Sequence, residues 1–271
     1  MGAQFDVLDL VSGMKARGEP FALATVVRTV SLTAAKAGAK AVITADGTIS
    51  GGWIGGGCAR GAVLKAAREA LADGRTRLIS IQPGDLLEEH HVAAGELRDG
   101  VLYAKNSCPS QGTMDVFVEP VLPRPQLYVC GASPVAVAIA ELARRMGFFV
   151  AVCAPASDHA AFAEADRLVD GFILPDDFGR AFVVIATQGR GDSAALKAAM
   201  KSPALYVAFV GSRKKAAVLK QELTEAGVDA ARLEAMHAPA GLDLGGITPE
   251  EIALSIVAEM VEVRRRGQRQ A

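Results

Sequence analysis

Residues 126–147 read QLYVCGASPVAVAIAELARRMG. The first five are an apolar run short enough to be a buried strand. Gly131, Ala132 and Ser133 form a small-residue turn, and a helical pattern runs from Pro134 to Met146. Strand, tight turn and helix in that order place backbone N–H groups where they face a pyrophosphate. The alternation continues downstream. Phe148–Cys153, Ala181–Ala186 and Leu205–Val210 are strand-like, and Ser193–Met200 and Arg213–Ala226 are helical. This grammar predicts an α/β fold: a parallel sheet covered on both faces, forming a Rossmann-like nucleotide-binding domain over residues 126–271. A last helix is expected from Thr248 to about Arg265, with Thr248 as N-cap, Pro249 in the first turn and Glu251 completing a capping box.

Upstream the pattern changes. Glu119–Pro125, EPVLPRP, holds three prolines in seven residues and reads as a linker. Residues 1–118 read as an α+β domain. A short helix is expected over 5–17, and strands at Phe21–Val30, Lys40–Thr44, Arg77–Ile81, Val101–Ala104 and Thr113–Val118. Asp46-Gly47 is a hairpin turn signal, and a helix is expected from Cys58 to Leu71.

Composition bounds the function. The 271 residues suffice for two cores, and 51% hydrophobic against 22% charged excludes disorder. A formal net charge of -1 offers no broad surface to nucleic acid. The basic cluster Arg264–Arg266 with Arg269 suits a helix end. The N-terminus lacks a signal-peptide pattern, and no run of 18 apolar residues predicts a membrane span. Cys58, Cys108, Cys130 and Cys153 lack metal-finger spacing and read as reduced thiols in the cytoplasm.

Several segments carry possible chemistry. The first turn keeps only Gly131 of the usual three glycines. Pro134 removes one N–H donor, and Val135 follows it. No acidic residue follows the second strand, where Val152-Cys153-Ala154-Pro155 stands. This argues against ordinary NAD recognition and leaves a flavin nucleotide or an atypically held adenine nucleotide open. Gly211, Ser212, Arg213 and Lys214 follow an apolar strand and combine free N–H groups with cations, which is anion-binding chemistry. Five glycines in residues 51–57 precede Cys58. Gly56 and Gly57 permit close backbone approach there, and the helix start favours a Cys58 thiolate. Cys108 sits in a polar turn. Cys58 and Cys108 are candidate ligands of molybdenum or copper, with an inert buried cysteine as the plain alternative for Cys58. His237 and Asp243 share a glycine-rich loop suited to a site. His90 and His91, after two glutamates, read as a solvated face. No clear general acid–base pair emerges.

Taken together, the chain resembles the XdhC/CoxI family. The matching segments are ATVVRTVSLTAAKAGAKAVITADGTISGGWIGGGC (24–58), LYVCGASPVAVAIAELARRMGF (127–148), YVAFVGSRKKAAVLK (206–220) and HAPAGLDLGGITPEEIALSIVAEM (237–260). The resemblance implies an accessory protein that binds molybdenum cofactor and helps it acquire its terminal sulfur. It also implies delivery to a xanthine-dehydrogenase-like or CO-dehydrogenase-like hydroxylase. The chain departs from the family at Ala35-Lys36, at Ala59-Arg60 and at Gly131–Pro134. Thr187 and Gln188 begin a stretch where members carry a histidine, which places them among the expected cofactor contacts. Ser107–Thr113 is similar to members that accompany CO-dehydrogenase-type enzymes. The expected protein is a cytoplasmic homodimer that carries molybdenum cofactor transiently and binds FAD in preference to NAD or NADP. Its expected partners are the hydroxylase and a sulfur-donating desulfurase. The alternative is a flavin- or nicotinamide-dependent oxidoreductase acting on a small molecule.

Overall fold

The computed structural model describes residues 7–31, 33–109, 111–175 and 181–266. The chain divides into two compact units, 1–123 and 124–271.

The first unit contains α1 (Val7–Arg17), β1 (Phe21–Val30), β2 (Lys40–Thr44), β3 (Ile49–Gly52), α2 (Gly57–Asp73), β4 (Arg77–Gln82), α3 (Gly84–Glu89), β5 (Leu97–Arg98), β6 (Val101–Lys105) and β7 (Thr113–Val121). Its sheet runs β3-β2-β1-β7-β4-β6-β5. Only β4 and β6 pair in parallel. Helix α2 lies on β1, β4 and β7. Its Ala66, Ala67 and Ala70 are small enough to let the helix approach Ala24, Ile79 and Val116 closely. At the β3 exit, Gly52 has φ 77°, and a Cβ there would lie 2.1 Å from the Lys40 carbonyl oxygen. Only glycine fits that turn.

The proline-rich stretch expected to be a linker is in part a strand. β7 continues through Glu119, Pro120 and Val121, paired with Leu23, Ala22 and Phe21 of β1. Strand β4 pairs with β7 only as far as Val118. Pro120 therefore has a ladder neighbour on one side only, and such an edge position is where a strand tolerates a proline.

The second unit contains β8 (Gln126–Cys130), α4 (Pro134–Arg145), β9 (Phe149–Ala154), a 3-10 turn (Ala156–Ala161), β10 (Arg167–Asp170), β11 (Phe182–Ile185), α5 (Asp192–Lys201), β12 (Tyr206–Phe209), α6 (Arg213–Glu225), α7 (Ala230–Glu234) and α8 (Pro249–Arg265). The order is β10-β9-β8-β11-β12, with every pair parallel. This is a Rossmann-type sheet. Helices α4 and α8 cover one face and α5 and α6 the other. Residue His237 extends the edge beside Ala208 of β12. The chain leaves β8 toward β9 and β10, then returns to the other side of β8 as β11. The switch point therefore lies between β8 and β11, where ligands of such sheets bind. Among the described residues no helix is long and apolar enough to cross a membrane.

Candidate functional site

The turn after β8 is tightly built. Gly131 has φ 112°, and an added Cβ would lie 2.6 Å from Thr187 Cα and 2.7 Å from the Ala186 carbonyl oxygen. The backbones leaving β8 and β11 therefore touch, and glycine is required there. Ser133 caps α4, its hydroxyl accepting from the Ala136 N–H at 3.2 Å. Pro134 occupies the first helical position without costing a bond. Ala132 and Val135 are half-buried against the core.

The loop after β11 faces this turn. Asp192, at the start of α5, accepts from the Thr187 hydroxyl and from the Gly189 N–H at 3.2 Å. Lys215 Nζ lies 2.5 Å from its other oxygen. Burial pushes the Asp192 carboxyl up, but Lys215, Thr187 and Gly189 together hold it below the usual carboxylate value. Gln188, Gly189 and Gly191 all have left-handed backbones, with φ 51°, 93° and 102°. Arg190 projects from between those glycines and pairs with Asp158 at 3.1 Å.

The third turn holds Gly211 and Ser212, whose hydroxyl accepts from the Lys215 N–H at 3.2 Å and caps α6. The Gly131–Val135 and Gly211–Arg213 turns do not follow adjacent strands, because β11 lies between β8 and β12. The Thr187–Asp192 loop stands between the two turns, and the Lys215–Asp192 pair ties the third turn to it. Arg213 and Lys214 are exposed. Arg213 lines a shallow groove of about 450 Å³ along α6 with Lys220 and Glu234.

His237 is half-buried, and its partner is not Asp243, which is exposed. His237 Nδ1 lies 2.8 Å from Glu259 Oε1 of α8. Glu259 Oε2 accepts from the Tyr206 hydroxyl at 2.5 Å and the Gly241 N–H at 2.9 Å. A carboxylate only accepts, so His237 donates from Nδ1, and this bond fixes the orientation of the ring. Burial first, and then Glu259, push the Tyr206 phenol far up. Sequence reasoning missed Glu259, Asp192 and Arg190, because each is identified by a partner distant in the chain.

In the first unit Gly56 is the N-cap of α2 and Gly57 its first residue, with φ 55° at Gly57. Cys58 is in the first turn of α2, and its side chain lies outside the described ones. Cys108 is exposed, its N–H donating to Asn106 Oδ1 at 2.9 Å. Among the described residues no three His, Cys, Asp or Glu side chains converge as metal ligands. Trp53 is 54% exposed on a backbone pinned by its N–H to the Lys40 carbonyl at 2.8 Å. A polar chain crosses the sheet: Arg28 to Asp115 at 2.5 Å, Ser80 to Asp115 at 2.6 Å, Gln82 to Ser80 at 2.8 Å and His90 to Gln82 at 3.0 Å.

Comparison with known proteins places these features. The XdhC Rossmann domain model matches residues 127–260, and the XdhC and CoxI family model matches 14–82. The uncharacterized protein YqeB of Escherichia coli (strain K12) is 32% identical over 263 residues, 92% of this chain and 44% of that protein. A Bacillus subtilis (strain 168) protein, named for its probable place in a xanthine dehydrogenase, is 30% identical over 166 residues, 57% of this chain and 47% of that protein. The chain thus spans less than half the length of these curated relatives. A crystal structure of a xanthine dehydrogenase from Bacillus halodurans aligns over 98% of both chains at 19% identity, with a TM-score of 0.47. With both family models matched in order along one chain, the protein belongs to the XdhC and CoxI family.

Proposed function

We propose that this protein is a maturation factor for a molybdenum hydroxylase of the xanthine- or CO-dehydrogenase type. Family membership over both units carries the reading, and the Bacillus subtilis relative's name points to the same enzyme class. In this reading molybdenum cofactor is cargo, held transiently while its terminal sulfur is completed from a desulfurase. Cys58, in the first turn of α2, contacts the cofactor or the sulfur, since a thiolate there gains from the helix dipole. Cys108 is a second candidate contact, and the protein acts as a homodimer in the cytoplasm.

The Rossmann unit holds a nucleotide, with FAD ahead of NAD or NADP. The fit rests on the strand–turn–helix unit that opens α4 beside the switch point, and on the exposed cation Arg190 in the neighbouring loop after β11. A bound flavin would supply redox chemistry; the chain's residues bind and orient it. One observation favours the oxidoreductase alternative: His237 is oriented by Glu259, and a carboxylate-oriented histidine is suited to general acid–base chemistry.

The deciding measurement is the molybdenum and sulfur content of the hydroxylase from cells lacking this protein. We expect an assembled, inactive enzyme short of terminal sulfur. A fully loaded, active hydroxylase would overturn the reading.

A further inference from the structure

The carboxylate that reads a nucleotide's ribose ordinarily stands at the end of the second Rossmann strand. Here β9 ends at Ala154 and Pro155 follows, so that position carries no charge. The 3-10 turn directly after it carries Asp158, with a side chain 23% exposed. That turn is fixed. His159 Nε2 lies 2.9 Å from the Ala154 carbonyl and 3.2 Å from that of Val169. The Ala156 N–H donates to Asp170 at 2.9 Å.

Asp158 is paired with Arg190, which comes from the loop after β11. Strand β8 lies between β9 and β11. The ion pair therefore bridges loops two strand spacings apart, roughly 10 Å, across the carboxyl end of β8. That is where Gly131 opens the turn at the switch point. Arg190 is 68% exposed by side chain and sits between the left-handed Gly189 and Gly191. An ion pair this exposed is weakly held. Lys215, in contrast, is committed to the buried Asp192.

We propose that Asp158 takes the ribose diol of the nucleotide and that Arg190 is a displaceable strap, exchanging Asp158 for the ligand's pyrophosphate. The inference rests on the nucleotide reading of this crevice and narrows it. The ligand is a nucleotide diphosphate with a free 2′-hydroxyl, because a 2′-phosphate would meet the Asp158 carboxylate.

The test is titration calorimetry of the whole chain with ADP-ribose and with 2′-phospho-ADP-ribose. The unmodified protein should prefer ADP-ribose by about tenfold or more. Asp158→Asn should weaken ADP-ribose binding and shrink the preference to about twofold. Arg190→Gln should weaken both ligands alike, by roughly fivefold, with the preference kept. Arg190 lies at the surface and Asp158 is half-buried, and circular dichroism establishes that each variant is folded. An unchanged preference in folded Asp158→Asn overturns the ribose assignment and leaves the nucleotide reading standing. An unmodified protein that binds neither probe overturns both.

Discussion

The Asp192 carboxylate is 8% exposed and lies between the Thr187 hydroxyl, the Gly189 N–H and the Lys215 ammonium. Burial alone would raise its pKa, and those partners lower it below the usual value. The folded carboxyl thus releases its proton at lower pH than the unfolded one. Stability rises with pH across that interval, is fully present above the unfolded value of about 3.9, and is lost as pH falls through the folded value. Lys215→Met should therefore cost about 1–2 kcal/mol at neutral pH, the partial exposure of Lys215 limiting the loss. The gap should close in acid as Asp192 takes up a proton. Urea unfolding of both proteins at neutral and acid pH checks this, and a gap independent of pH would refute it. Gly131→Ala should cost more, about 2–4 kcal/mol, since the methyl meets Thr187 Cα at 2.6 Å on a φ of 112°. Urea midpoints measure it, and a loss below about 0.5 kcal/mol would mean the β8 turn yields easily.

At the scale of elements, α8 shows how local chemistry fixes a boundary. The Thr248 hydroxyl accepts from the Glu251 N–H at 3.3 Å, and Glu251 accepts from the Ile247 and Thr248 N–H groups at 2.7 and 3.0 Å. All these bonds lie within five residues, so the helix start was readable from TPEE alone. Thr248→Ala should cost about 1 kcal/mol, read as a lower urea midpoint with an unchanged slope. Other elements were not readable. β10 is four residues long at the sheet edge, with Arg167, Leu168 and Asp170 exposed, and offers no alternation to detect. β5 is two residues long and exists only through its pairing with β6. The Glu119–Val121 end of β7 was hidden by its proline, because proline argues against a strand until the ladder shows which side is free.

For the whole molecule, the cores separate cleanly. One pair of apolar clusters draws on residues between Val7 and Val121, the other on residues between Leu127 and Val263. Each unit thus buries its own core and is of ordinary domain size. We predict that a 124–271 fragment folds alone, with a helical and strand far-UV spectrum and one cooperative urea transition. A fragment without a cooperative transition would show that the Rossmann unit depends on the first.

The sequence by itself determined the strand–turn–helix alternation, the parallel class of the second unit, the glycine at the β8 exit and the α8 cap. Each is a local pattern, written in periodicity, turn chemistry or contacts a few residues apart. Only the tertiary structure decided that β11 inserts between β8 and β12, and so which turns face each other. It decided that Lys215 turns inward to Asp192 while Arg213 and Lys214 stay exposed. It also gave His237 the Glu259 carboxylate, 22 residues away, in place of Asp243. Strand order and charge pairing are set by how distant segments pack, and a one-dimensional pattern of burial does not record which segments those are.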